Sequence, residues 1–167
     1  MINKALTCLT EEMNEYFLNK LKISEDKVIL SGIINQDGTI AIQGENKIIV
    51  TLVNVAEAPT HKNYPPVNER PTGNSQPTPI INLTVLFSAY FSGNNYSEAL
   101  HFLSCIILFF QQKNVFTSSD TAGLDDTIEA ITVEMQGITT EELNNLWAAL
   151  GAKYMPSVLY RISIAHF

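Results

Sequence analysis

PIINLTVLFSAYFSGNNYSEALHFLSCIILFFQQKNVF, residues Pro79 to Phe116, is the longest stretch of the chain that is apolar on nearly every face. It reads as a buried strand running straight into a buried helix. From Ile80 to Phe91, Ile81, Leu83, Val85, Phe87 and Ala89 fall on one side and Asn82, Thr84, Leu86, Ser88 and Tyr90 on the other, the period of two that pleating imposes. Ser92, Gly93 and Asn94 make a turn, and Asn95 with Glu98 three residues on has capping-box spacing, so a helix is predicted to begin near Tyr96. Its apolar residues, Ala99 and Leu100 through Phe109 and Phe110, wrap it so broadly that cover is expected on more than one side, from the sheet and from another helix or a subunit.

Outward from this centre, the first segment repeats apolar residues at helical spacing (Ile2, Leu6, Leu9, Met13, Phe17, Leu21), which predicts an amphipathic helix ending near Lys22. Lys27 to Ile34 is a β-rich run, Asp37-Gly38 a turn signal, and Lys47 to Val55 a strand apolar on both faces and therefore expected at the centre of the sheet. Between Glu57 and Thr78 the composition changes abruptly, with six of the seven prolines lying from Pro59 to Pro79. No packed element is expected at 57–78, and a segment of that length can act as an extended arm.

Beyond the central helix, Asn114 to Asp126 reads as a polar connection and Asp125 to Gln136 as a strand carrying Ile131, Val133 and Met135 on one face. Thr139 and Glu142 form a second capping box, Leu143, Leu146, Trp147 and Leu150 follow at helical spacing, and Gly151 suits the left-handed C-cap. Pro156 blocks continuation, and Ser157 to Phe167 alternates as a last strand. The expected fold is α+β: one domain over 1–167, with a mainly antiparallel sheet, helices against one face, and the proline-rich arm at 57–78.

Composition excludes several classes of function. A net charge of −7 with only ten Lys and Arg speaks against nucleic acid as a partner, because phosphate contacts need clustered cations. No apolar run is long enough to cross a bilayer, and the first residues lack the order of a secretion signal, so a cytoplasmic protein is expected. Cys8 and Cys105 fall on apolar helix positions with no ligand-spaced partner and read as buried free thiols. His61, His101 and His166 share no ligand or catalytic spacing, there is no Gly-rich phosphate loop or nucleophile elbow, and the carboxylate groups Glu11, Glu12, Glu15 and Asp125, Asp126 suit solvated positions. An enzyme is disfavoured, with no cofactor expected; the competing expectation is a small-ligand binding or enzymatic domain with a pocket between the central helix and the sheet.

EELNNLWAALGAKYMPSVLYRISI, Glu141 to Ile164, resembles part of the tail-cap or tail-terminator domain of contractile injection systems of the antifeeding-prophage type. MINKALTCLTEEMNEYFLNK, KIIVTLVNV, INLTVLFSAYF and YSEALHFLSCIILFFQQKNVF resemble that family in the same order, so the similarity covers nearly the whole chain. The resemblance implies a phage tail-terminator-like fold and a non-enzymatic cap: a ring of identical subunits, hexameric by expectation, bound to the sheath and inner-tube proteins of its particle. It implies assembly in the cytoplasm and residence in the injection particle thereafter. Strand exchange with the last sheath layer is expected to involve the arm or the terminal strand 157–167. Leu146, Trp147, Gly151, Tyr154, Pro156 and Tyr160 match the family pattern, and each suits a role in the fold as well; Trp147 fits either the core or a subunit anchor. Tyr64, Arg70, Trp147, Tyr154, Tyr160 and Arg161 are the candidate assembly residues.

Overall fold

The computed structural model describes residues 1–58 and 80–166. Three helices, α1 (Ile2–Leu21), α2 (Tyr96–Gln112) and α3 (Thr140–Leu150), accompany a single sheet in the order β1-β2-β3-β6-β5-β4. The strands are β1 (Val28–Leu30), β2 (Lys47–Glu57), β3 (Ile80–Tyr90), β4 (Val115–Thr117), β5 (Ile128–Gln136) and β6 (Ser157–His166). Every neighbouring pair is antiparallel except β1 with β2, so the fold is α+β and mainly antiparallel, as its residues predict.

β3 and β6 are the inner strands, joined from Ile80↔Ala165 to Ser88↔Ser157. β2 lies one place from the edge instead of at the centre, and β1 covers only its residues Ile48 to Val50. The double-sided apolar character of β2 comes from cover above and below, not from a central place in the ladder. β1 is also shorter than its β-rich run suggests: Asn14 of α1 accepts from the Val28 N–H (2.9 Å) and donates to the Val28 carbonyl (2.8 Å), taking the place of a further strand. β4 lies within the expected polar connection. Its three residues are too short for a periodic signal, and pairing with Ala130 to Thr132, together with complete burial of Phe116, makes the strand.

α1 and α2 cover one face. Phe17, Phe102, Ile106 and Phe110 meet Val85, Phe87, Tyr160 and Ile162 in a continuous core, with ring pairs such as Phe87–Phe110 (5.5 Å, edge-on) and Phe17–Phe102 (5.4 Å). At about 1.5–3 kcal/mol for each large apolar side chain buried, this layer carries the fold. Lys113, just past α2, fastens α1 to the 113–121 turn: its Nζ donates to Glu12 (3.2 Å), the Asp120 carbonyl (3.1 Å) and Thr121 (3.0 Å), and lies 4.7 Å from the Phe116 ring centre. The Asn95–Glu98 capping box is not made. A short 3-10 turn at Gly93–Asn95 leads into α2, and the Asn95 amide donates to Asn46 Oδ1 (3.2 Å), which also accepts the Ser92 N–H.

α3 packs on the opposite face, which corrects the expectation that all helices share one side. Its N-terminus has the predicted reciprocal Thr139–Glu142 box and its C-terminus the left-handed Gly151 (φ 67°). The layer beneath is thin, with Ile33, Ile42, Ile49, Leu86, Trp147 and Leu159 as its buried side chains.

Candidate functional site

The cleft expected between the central helix and the sheet is filled by side chain, with Phe102, Ile106, Phe109 and Phe110 of α2 all no more than 6% exposed. A cavity of about 440 Å³ lies instead on the α3 side, between the hairpin-like loop 33–42 and the turn 151–155, floored by Tyr90 and Phe91.

The candidate assembly residues separate into distinct environments. Trp147 is 5% exposed, its ring set edge-on to Tyr154 at 5.7 Å, and Tyr154 is 63% exposed at the mouth of the cavity. Tyr160, on the opposite sheet face, sits in the main core 4.9 Å from Phe110 and 5.5 Å from Phe87, and burial pushes its phenol up to about 12. Tyr160 therefore serves the fold. Arg161 projects from the α3 side of β6 and pairs across the ladder with Glu134, both partly exposed. Tyr64 and Arg70 lie outside the described residues, as does nearly all of the arm. The structure brings together Trp147 and Tyr154; Arg161 lies farther along the same face.

Trp147 Nε1 and Ser88 Oγ are buried without a hydrogen-bond partner, and both belong to the α3 layer; Ser88 faces it between Ile49 and Ser157 in the ladder. Sequence reasoning had no means of finding these atoms, because their isolation follows from tertiary packing. The thiols of Cys8 and Cys105 are buried and free, and burial raises both above the ordinary thiol value, which disfavours the nucleophilic thiolate. His101 is exposed on α2, with Nε2 3.7 Å from Cys105 Sγ; His61 lies outside the described residues, and His166 closes β6.

Two edges matter for association. β6 is paired on both sides, by β3 and by β5, so the terminal strand cannot be given to another sheet without opening this one. Past Val50, however, the outer edge of β2 carries no strand among the described residues, and Leu52 and Val55 there are 37% and 46% exposed. An uncovered strand edge is a template for another chain.

These features define a mixed α+β domain whose distinctive surfaces are an open strand edge and an apolar recess. The chain belongs to the Pvc16 N-terminal domain family, whose model matches residues 5–167. Among solved structures, it is similar to the sheath/tube terminator of PVC, an extracellular contractile injection system, determined by cryo-EM in the extended state. The TM-score is 0.60 at 12% sequence identity, over 98% of this chain and 55% of that one, so the chain spans about half the length of the solved terminator. At that identity the likeness is one of fold. No curated protein matches the chain.

Proposed function

We propose that this domain is a structural terminator of a contractile injection particle, closing the end of tube and sheath and holding the terminal sheath layer. Membership of the Pvc16 N-terminal domain family over nearly the whole chain carries the reading, and the fold shared with a solved sheath/tube terminator supports it. A growing tube or sheath recruits each new layer through the surface it exposes. A cap must match that surface on one side and offer no copy of it on the other.

On this reading the protein is not an enzyme, works without a cofactor, and assembles as a ring of identical subunits, six in number, on the sheath and tube proteins of its own particle. Assembly takes place in the cytoplasm and the domain then remains in the particle. No helix among the described residues is long and apolar enough to cross a membrane. The open edge of β2 beyond Val50 is where a strand of the last sheath layer would add by main-chain hydrogen bonding, with Leu52 and Val55 offered to its alternate side chains.

The test is to omit the chain while expressing the cognate tube and sheath proteins and to measure particle lengths by electron microscopy. Terminator action predicts a broad length distribution, restored to a narrow one by supplying the chain, with the tagged chain at particle ends. Narrow lengths in its absence, or a tag spread along the sheath, overturn the proposal.

A further inference from the structure

The cavity on the α3 side has two walls, the loop 33–42 and the turn 151–155. In one, the Asn35 N–H donates to the Thr39 carbonyl (2.7 Å) and the Ala41 N–H to the Ile33 carbonyl (2.9 Å), around Gly38 in the left-handed region (φ 83°). In the other, left-handed Gly151 ends α3 and Pro156 starts the approach to β6. These walls hold Ile40 and Tyr154 outward, 55% and 63% exposed, where neither adds to the core. Concave apolar recesses of a few hundred cubic ångströms with few polar groups are the usual form of a binding site. Lys153, the one charged residue of the lining, makes no ion pair among the described residues, although the chain carries a net charge of −7. Beneath lies the layer that holds the two unpartnered buried polar atoms, Trp147 Nε1 and Ser88 Oγ.

We propose that this recess receives a large apolar side chain carried on an acidic segment of another protein. The apolar group enters between Ile40, Ile42 and Met155, and a neighbouring carboxylate meets Lys153 at the rim. Charge selects the occupant locally: the unpaired Lys153 at the rim favours a carboxylate beside the apolar group over a second cation, and at physiological salt the Debye length of about 8 Å screens the more distant charges behind the chain's net −7. Tyr154 stands between the recess and Trp147, so filling the recess alters the surroundings of the only tryptophan in the chain.

The inference does not rest on the terminator role, since its test contains neither sheath nor tube. The intact chain is titrated with an acetylated pentapeptide, Asp-Leu-Phe-Leu-Asp, while Trp147 emission is followed. A saturable change is expected, with the basic counterpart Lys-Leu-Phe-Leu-Lys bound about tenfold more weakly, as opposed charge signs at one partly exposed site allow. Lys153→Gln should weaken the acidic peptide by up to about fivefold and narrow the difference between the two. Ile40→Asp, at an exposed position that leaves the fold intact by circular dichroism, should abolish the response. Absence of a saturable response at millimolar peptide, equal affinity for the two peptides, or indifference to both substitutions overturns the proposal. So does emission that depends on the chain's own concentration and not on peptide, since the recess is then filled by a second copy.

Discussion

On the α1/α2 side of the sheet, Phe87, Tyr160 and Ile162 lie beneath two long helices and are no more than 2% exposed. On the α3 side, Ile49, Leu86 and Leu159 lie beneath one short helix and a loop, and Ile40 and Tyr154 are left 55% and 63% exposed. The difference separates two uses of apolar surface. Where helices of 20 and 17 residues press on the strands, burial is complete and the return is stability. Where the cover is 11 residues of α3 with a single buried side chain, apolar surface remains for something outside the chain.

The sharpest way to break this comparison is to truncate one large aromatic in each layer. Phe87→Ala should cost about 3–5 kcal/mol, because Phe110 and Tyr160 pack on its ring and the strands around it cannot close the void. Trp147→Ala should cost less, about 2–3 kcal/mol, since the loops beside it can settle inward and an unpartnered indole N–H is removed. Trp147→Phe should fall within about 1 kcal/mol of the parent, the lost packing being offset by loss of that N–H. Urea unfolding measures all three. A cost at Trp147 equal to that at Phe87 would mean that the α3 layer is as much a core as the other.

A second comparison uses pH. Tyr160 is held at about 12 against an ordinary value of 10.0, so the folded chain keeps this proton more tightly than the unfolded chain does. Its contribution is fully present below about pH 10 and is lost as pH rises towards 12. At 1.36 kcal/mol for each pKa unit, the loss is roughly 2–3 kcal/mol. Stability measured by urea from pH 9 to pH 12 should fall accordingly, and Tyr160→Phe should remove that part of the fall. If parent and variant lose stability alike above pH 10, the ring is not sealed in the helix-covered face.

How far these layers could be read from sequence follows from the range of the forces that make them. β3 and α2 were legible because a continuous apolar run and a turn decide them locally, and α3 because Thr139, Glu142 and Gly151 are local signals that the structure uses as written. Asn95 and Glu98 have the same spacing, yet Asn95 turns to Asn46, a partner 49 residues away that no local rule supplies. Sheet order is likewise remote: nothing within β2 tells that β1 covers only three of its residues, and nothing within β6 tells that it lies inside the sheet. Trp147 and Tyr160 look alike as aromatics near the C-terminus. Only the tertiary arrangement decides that Trp147, on α3, packs on one face of the sheet while Tyr160, on β6, points to the face that α2 covers. The recess has no local signature in the sequence, because its walls, 33–42 and 151–155, are separated by most of the chain and share no motif.

The smallest expected effect on stability tests a third region, the β2–β3 end, which belongs to neither layer. There the Ala58 N–H donates to the Ile80 carbonyl (3.0 Å) and Glu57 stands opposite Ile81, so residues 59–79 join two points that are already neighbours. Replacing residues 60–76 with a short Gly-Ser link leaves every described side chain of both core layers in place and still spans the gap, since hairpins close with a few residues. Loop closure varies with the logarithm of length, so cutting the connection by more than half should change stability by no more than about 1 kcal/mol, towards the folded state. Assembly is the second readout, because the expectation that this arm exchanges a strand with the last sheath layer requires the shortened chain to fold normally and fail at particle ends. Unchanged melting with uncapped particles of broad length distribution would assign the arm to assembly. A shortened chain that still sits at the ends of particles of controlled length would leave the arm as a connection only, and a loss of several kcal/mol would place it within the fold.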